Sequence, residues 1–152
     1  MSEIELTQQP PRHFVGIRRK VHVSELPGFY GEVLPKVMNW LRDEGIEPAS
    51  APMSVWCDMD MESGVADTHA GCMVESAVEG EGEITPGMTS GGDVLKLVHR
   101  GGYDTMGQSW GRVFAHAQES GRRPGVGWEI YVDDPGQVDA ADLRTEIYLP
   151  VE

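Results

Sequence analysis

The sequence is short of basic residues and of long apolar segments. Lys and Arg together number 12, against 25 Asp and Glu, so the formal net charge is −13 at pH 7. A negative potential of this size repels phosphate backbones and attracts cations, so we expect no direct nucleic-acid ligand. No segment approaches the roughly 20 apolar residues that a membrane-spanning helix requires, so we expect no membrane insertion.

Cysteine is also scarce. The chain has Cys57 and Cys72 only, without Cys-x-x-Cys spacing, and its N-terminus shows no secretory apolar segment. This pattern predicts a reduced, cytoplasmic protein. A length of 152 residues is typical of one domain that buries its own core without disulfides or metal.

Motifs for cofactors, metals and covalent catalysis are missing too. There is no phosphate-binding loop and no Gly-x-Ser-x-Gly elbow. The acidic run Asp58–Glu62 resembles the start of a calcium loop, but Ser63 and His69 occupy the positions that need Gly and Glu. The five histidines show no pair at metal-binding spacing on one predicted helix. We therefore predict no metal site and no cofactor.

The second half of the chain shows one helix among three strands. Val94–His99 is strand-like, and the segment from Thr105 to Ser120 has apolar residues at helical spacing. Asp104 is a suitable N-cap and Gly121 a suitable stop. Two further strands follow at Trp128–Val132 and Leu143–Leu149.

The first half repeats this order. It has a strand at Phe14–Ile17, a helical stripe ending at Leu41, and strands at Ser54–Asp58 and Thr68–Val74. An offset of 76 residues matches one apolar helix position and three residues typical of helix ends and turns: Val37 with Val113, Gly45 with Gly121, Pro48 with Pro124 and Asp58 with Asp134. This indicates an internal duplication and an α+β fold with helices on one side of antiparallel sheet.

Two segments of the first half need separate interpretation. Because Pro35 removes a backbone donor, the first helix either begins near Leu34 or starts earlier and kinks. The Gly- and Glu-rich stretch Glu79–Gly92 is interpreted as the linker between the repeats.

Glu129 places a charge in the middle of an otherwise apolar strand. Strand alternation puts Glu129 and Tyr131 on one face, opposite Trp128, Ile130 and Val132. The three apolar residues are the expected core face. Glu129 and Tyr131 then point either to water or to a cavity, and a carboxylate among aromatic rings suits a cationic or polarised aromatic ligand.

Three short motifs follow one another along the chain: His99–Asp104, Gly127–Tyr131 followed by Asp134-Pro135, and Thr145–Val151. In this order they resemble the GyrI-like small-molecule-binding family, which includes effector-binding domains of multidrug-sensing transcription regulators. The resemblance extends from about Phe14 to Val151. It implies a single domain over residues 1–152, with repeat one at about 13–78 and repeat two at about 93–151.

The resemblance also implies a ligand groove between two pseudo-symmetric strand-helix-strand-strand repeats. In such proteins a glutamate at the position of Glu129 lies at the base of the pocket, so the resemblance favours the cavity over water. The implied aromatic lining consists of Trp56, Tyr103, Trp110, Tyr131 and Tyr148. Enclosure by these rings would raise the pKa of Glu129. Gly102 replaces the proline usual in the family, and Trp56 stands where a tyrosine is common.

The function that this resemblance implies is stand-alone binding of bulky hydrophobic, aromatic or cationic compounds. The segment before Phe14 is too short for a helix-turn-helix, so we expect the module to act alone or through a partner. One alternative is a hydrolase of reactive cyclopropane-bearing genotoxins with Glu129 as the acid-base group. Another is a protector that binds DNA gyrase. The residues leave open whether the protein is an enzyme and what its oligomeric state is.

Overall fold

The structure is a computed structural model that describes residues 3–152. The chain divides into two compact units. We call Arg12–Thr89 the central unit. The terminal unit combines the N-terminal segment up to Pro11 with Ser90–Glu152.

The central unit is an antiparallel sheet with one helix. Its strands are β2 (His13–His22), β3 (Met53–Asp60), β4 (Val65–Met73) and β5 (Ile84–Met88), and its helix is α1 (Leu26–Asp43). The strand order is β5-β2-β4-β3. The buried face of α1 packs on β2 and β4, where Val33 and Val37 join Val15, Ile17 and Ala70 in one core.

The terminal unit has the same plan. Its strands are β1 (Glu5–Gln9), β6 (Gly92–Arg100), β7 (Trp128–Tyr131) and β8 (Arg144–Pro150), and its helix is α2 (Met106–Glu119). The order is β1-β6-β8-β7, antiparallel throughout. Val113 and Ala117 of α2 pack on Leu97, Ile147 and Leu149. The predicted α+β class is confirmed.

The two helices end in the same way, which confirms the predicted duplication. Gly45 and Gly121 follow α1 and α2 with φ of 69° and 68°, the left-handed conformation that favours glycine after a helix. In each unit the next residue donates its backbone N–H to a carbonyl five residues earlier: Ile46 to Leu41, and Arg122 to Ala117. Val37 and Val113 are both completely buried.

Several local predictions need correction. The stretch Glu79–Gly92 is more than a linker, because it contains β5, which pairs with β2. Asp104 does not cap α2: it lies in a turn of 3-10 helix, and the N-cap is Thr105, whose side chain makes no capping hydrogen bond. Helix α1 takes the earlier of the two predicted starts, at Leu26, with Pro35 inside it.

Among the described residues, no helix combines the length and the apolar character needed to span a bilayer.

Candidate ligand-binding site

The strand register places Glu129 on the face of the terminal unit's sheet that α2 covers. Glu129 pairs with Ile147 on β8, and Ile147 pairs with Leu97 on β6. Directly paired residues of antiparallel strands point to the same side, and both Ile147 and Leu97 belong to the core beneath α2. Trp128 and Ile130 occupy the opposite face, where both are buried in the core as expected, whereas Val132 is exposed and its predicted core position is wrong.

The Glu129 side chain is buried and hydrogen-bonded at both oxygens. It is 3% exposed. Trp110 on α2 donates its Nε1–H to Oε1 at 2.5 Å, and the Tyr131 hydroxyl donates to Oε2 at 2.8 Å. An indole N–H can only donate, so Oε1 is an acceptor in this arrangement. Burial disfavours the charged carboxylate, whereas the two donors favour it.

The glycine directly before β7 lets the indole reach this carboxylate. A Cβ on Gly127 would lie 2.7 Å from Cη2 of Trp110 and 2.9 Å from the Tyr148 carbonyl oxygen, closer than real Cβ atoms approach. Gly127 therefore leaves the space that the Trp110 indole occupies. The sequence signal for it is a glycine at the edge of a strand, which often marks a close approach to the backbone.

Tyr103 extends this aromatic cluster to the surface. Its ring packs edge-on against Tyr131 with centroids 5.8 Å apart, and the side chain is 44% exposed. Burial raises the pKa of the Tyr103 phenol, and the charges of Asp134 and Glu129 raise it further, so the hydroxyl is neutral at pH 7.

His99 fixes the turn that carries Tyr103. It is buried, its Nε2 lies 2.9 Å from the Gly102 carbonyl oxygen, and its Nδ1 lies 2.6 Å from Oγ of Ser109 on α2. The carbonyl only accepts, so we assign the proton to Nε2 and the donor role on the other side to Ser109. Sequence reasoning gave His99 and Ser109 no role, since nothing in the pattern shows that they meet.

Tyr148 lies on the other face of the sheet. It pairs with Trp128, and the two rings stack 5.3 Å apart with an interplanar angle of 13°. Its hydroxyl donates to Glu146 at 3.0 Å, and Lys96 Nζ lies 5.5 Å from its ring centroid. The register thus separates Tyr148 from Glu129.

Trp56 belongs to β3 of the central unit. It is half-buried, and among the described residues its buried Nε1 has no hydrogen-bond partner. The structure therefore brings together Tyr103, Trp110, Glu129 and Tyr131. The ligand-binding roles of all six predicted residues, and the groove between the repeats, stay predictions.

Within residues 3–152, no three His, Cys, Asp or Glu side chains form a group suited to holding a metal ion.

The fold is shared with solved structures of low sequence identity. The EcmrR C-terminal domain has a TM-score of 0.84 and 18% identity, with 100% of this chain and 98% of that domain covered. In the EcmrR–DNA complex the TM-score is 0.85 at 18% identity, and the match covers 99% of this chain but only 57% of the EcmrR chain. At such identities the likeness shows the fold alone.

Two other structures with this fold differ in their described roles. SAV2435, solved with bound tetraphenylphosphonium, has a TM-score of 0.68 and 13% identity over 99% of this chain and 94% of its own. A hydrolase from Listeria innocua has a TM-score of 0.61 and 12% identity over 99% and 92%.

No curated protein matches the chain. The model of the GyrI-like small molecule binding domain matches residues 2–152. Because this match covers nearly the whole sequence, the chain belongs to the GyrI-like small-molecule-binding domain family.

Proposed function

We propose that this protein binds bulky aromatic cations and that Glu129 supplies the counter-charge. The observation that carries the proposal is the buried Glu129 carboxylate, held by the Trp110 indole and the Tyr131 phenol. Burying a carboxylate is costly, and nothing in the packing of a sheet beneath a helix calls for one. A cationic ligand would form a charge pair with this carboxylate, which accounts for its presence.

The surroundings of Glu129 suit a cation that carries aromatic rings. The face of an aromatic ring attracts cations, and Trp110, Tyr131 and Tyr103 are neighbours in this cluster. A charge pair is also stronger in a site shielded from water than at an exposed surface. The net charge of −13 further raises the local concentration of cations.

A related structure supports this class of ligand. SAV2435 was solved with tetraphenylphosphonium, which is a bulky aromatic cation. Its fold is the one seen in this chain.

Calorimetry with two ions of the same shape tests the proposal. Tetraphenylphosphonium and tetraphenylborate both carry four phenyl rings but have opposite charges. We expect the cation to bind with a Kd on the order of micromolar, and the anion to bind more than about a hundredfold more weakly because Glu129 repels it. Equal affinities would overturn the role of the carboxylate, and no binding of any aromatic cation would overturn the proposed function.

A second candidate function is hydrolysis, favoured by the hydrogen bond of 2.8 Å between Tyr131 and Glu129. A carboxylate and a phenol in contact offer a proton acceptor and a proton donor. On a reactive cyclopropane, Glu129 would take a proton from water while the water oxygen bonds to a ring carbon. The ring C–C bond breaks, the released electron pair takes the proton of the Tyr131 hydroxyl, and the proton held by Glu129 passes to the Tyr131 oxygen.

Mass spectrometry separates the two candidates. A hydrolase returns an electrophilic aromatic cyclopropane with one water added, and a binding protein returns it unchanged. The gyrase-binding role stays a prediction from the family resemblance.

A further inference from the structure

Thr145 on β8 is a buried residue whose hydroxyl is not satisfied. Its side chain is completely buried, and within the described part of the chain its Oγ1 has no hydrogen-bond partner. An unpaired buried hydroxyl lowers stability, so native proteins rarely contain one without a reason.

The register places this hydroxyl beside the candidate site. Thr145 pairs with Tyr131 on one side and with His99 on the other, so all three point to the face that α2 covers. Tyr131 donates to Glu129, and His99 already contacts Ser109 and Gly102 through its two ring nitrogens. Thr145 thus lies in the row of residues next to the carboxylate.

The central unit contains an equivalent threonine whose hydroxyl is satisfied. Thr68 pairs with Trp56 as Thr145 pairs with Tyr131. Its Oγ1 lies 2.5 Å from Oγ of Ser54, and the Tyr30 hydroxyl donates to that same serine at 3.3 Å.

The two units differ at the residue that forms the hydrogen bond with this threonine in the central unit. Ser54 pairs with Ala70 as Glu129 pairs with Ile147, so Glu129 takes the place of the serine. The Glu129 oxygens are bound by Trp110 and Tyr131, and Thr145 is left without the partner that Thr68 has. The unit that has a carboxylate in place of the serine is therefore also the unit whose threonine hydroxyl is unpaired.

We propose that the Thr145 hydroxyl is a specificity contact that accepts a hydrogen bond from an N–H group of the ligand. The preferred ligands are then aromatic cations with an N–H donor, such as protonated amines, rather than quaternary cations. Glu129 balances the charge of the ligand, and the ligand's N–H donates a hydrogen bond to the Thr145 hydroxyl oxygen. This inference rests on the proposed function, because it concerns the same site.

Two ligands and two matched variants test the inference. The ligands are 4-phenylbenzylammonium and its N,N,N-trimethyl derivative, which share ring system and charge but differ in N–H donors. The variants are Thr145→Val and Thr68→Val. We expect Thr145→Val to weaken the primary ammonium about tenfold, as loss of one hydrogen bond involving a charged group does, and to change the trimethyl derivative less than about twofold.

The melting temperature of the ligand-free protein gives an independent readout. Thr145→Val removes an unpaired hydroxyl and should raise the melting temperature by about 2 to 4 °C. Thr68→Val removes a hydroxyl that is hydrogen-bonded to Ser54 and should lower it. Thr145→Ser keeps the hydroxyl and should restore the preference for the primary ammonium.

Four results overturn the inference. A lower melting temperature for Thr145→Val means that the hydroxyl has a partner in the free protein. Equal losses for both ligands mean that Thr145 acts through packing. If the wild type binds the primary ammonium and Thr145→Val binds it equally well, Thr145 makes no hydrogen bond to the ligand, while the proposed function stands. If the wild type binds neither ligand, nor tetraphenylphosphonium, the proposed function fails and the inference fails with it.

Discussion

Glu129 tolerates its buried position because each of its oxygens accepts a hydrogen bond from an aromatic side chain. The sequence-based expectation of a raised pKa considers burial alone, and the indole and phenol donors act in the opposite direction. That expectation stays a prediction, which an NMR titration of Glu129 tests. The sequence did show that a carboxylate interrupts the strand, but it did not show the donors, because Trp110 lies 19 positions away on α2.

A different residue, His69 in the central unit, makes stability depend on pH. It is buried, its Nε2 lies 3.1 Å from the carbonyl oxygens of Gly16 and Thr85, and burial lowers its pKa from the ordinary value of 6.5. The unfolded chain therefore binds the proton more readily than the folded protein. The stabilising contribution is complete above about pH 6.5 and is lost as the pH falls through that value toward the lower folded pKa.

We therefore expect the melting temperature to fall between pH 7 and pH 5, and His69→Gln to reduce that fall. His116→Gln, at a half-buried histidine of α2, serves as the control. Melting curves at both pH values check this, and an identical pH dependence in wild type and His69→Gln would contradict it.

At the scale of elements, apolar spacing identified both helices and six of the strands. It missed β1 and β5, which are short strands with mostly exposed side chains. Pro86 and Gly87 within β5 also disfavour a strand assignment, and pairing with β2 overrides that preference. Alternation divided Trp128 and Ile130 from Glu129 correctly, but a strand pattern does not tell which face a helix will cover.

The close packing of α2 against the residue before β7 predicts the effect of a substitution at Gly127 on ligand affinity. Gly127→Ala puts a methyl group into the Trp110 indole, so the indole must move away from Glu129. We expect the affinity for tetraphenylphosphonium to fall about tenfold, the magnitude of one hydrogen bond to a charged group.

Gly125→Ala is the matched control for this change. Its added Cβ would lie 3.5 Å from the Pro150 side chain, an ordinary contact, and we expect wild-type affinity. Calorimetry on both variants checks the pair, and equal affinities for Gly127→Ala and Gly125→Ala would show that the position of the indole does not matter.

At the scale of the whole molecule, two units of one plan have different chemistry at corresponding positions. Ser54 and Leu34 of the central unit correspond to Glu129 and Trp110 of the terminal unit, the first pair by strand register and the second by the offset of 76 residues. The duplicated fold was visible in the sequence through its glycines and valines. The chemical difference was not, since short strands with β-branched residues look alike until the register is known.

The charge of the whole chain complicates any test with cations, because a protein of net charge −13 attracts them without a specific site. Glu119→Gln removes one negative charge at an exposed position of α2 and leaves the aromatic cluster intact. It therefore has the same net charge as Glu129→Gln and controls for the general field.

The most direct measurement is the affinity for tetraphenylphosphonium of wild type, Glu129→Gln and Glu119→Gln at matched ionic strength. We predict that Glu129→Gln weakens binding by about tenfold or more, as removal of a buried charge partner does, while Glu119→Gln binds as the wild type does. Equal affinity in all three proteins would contradict the role of Glu129 as the counter-charge of the ligand.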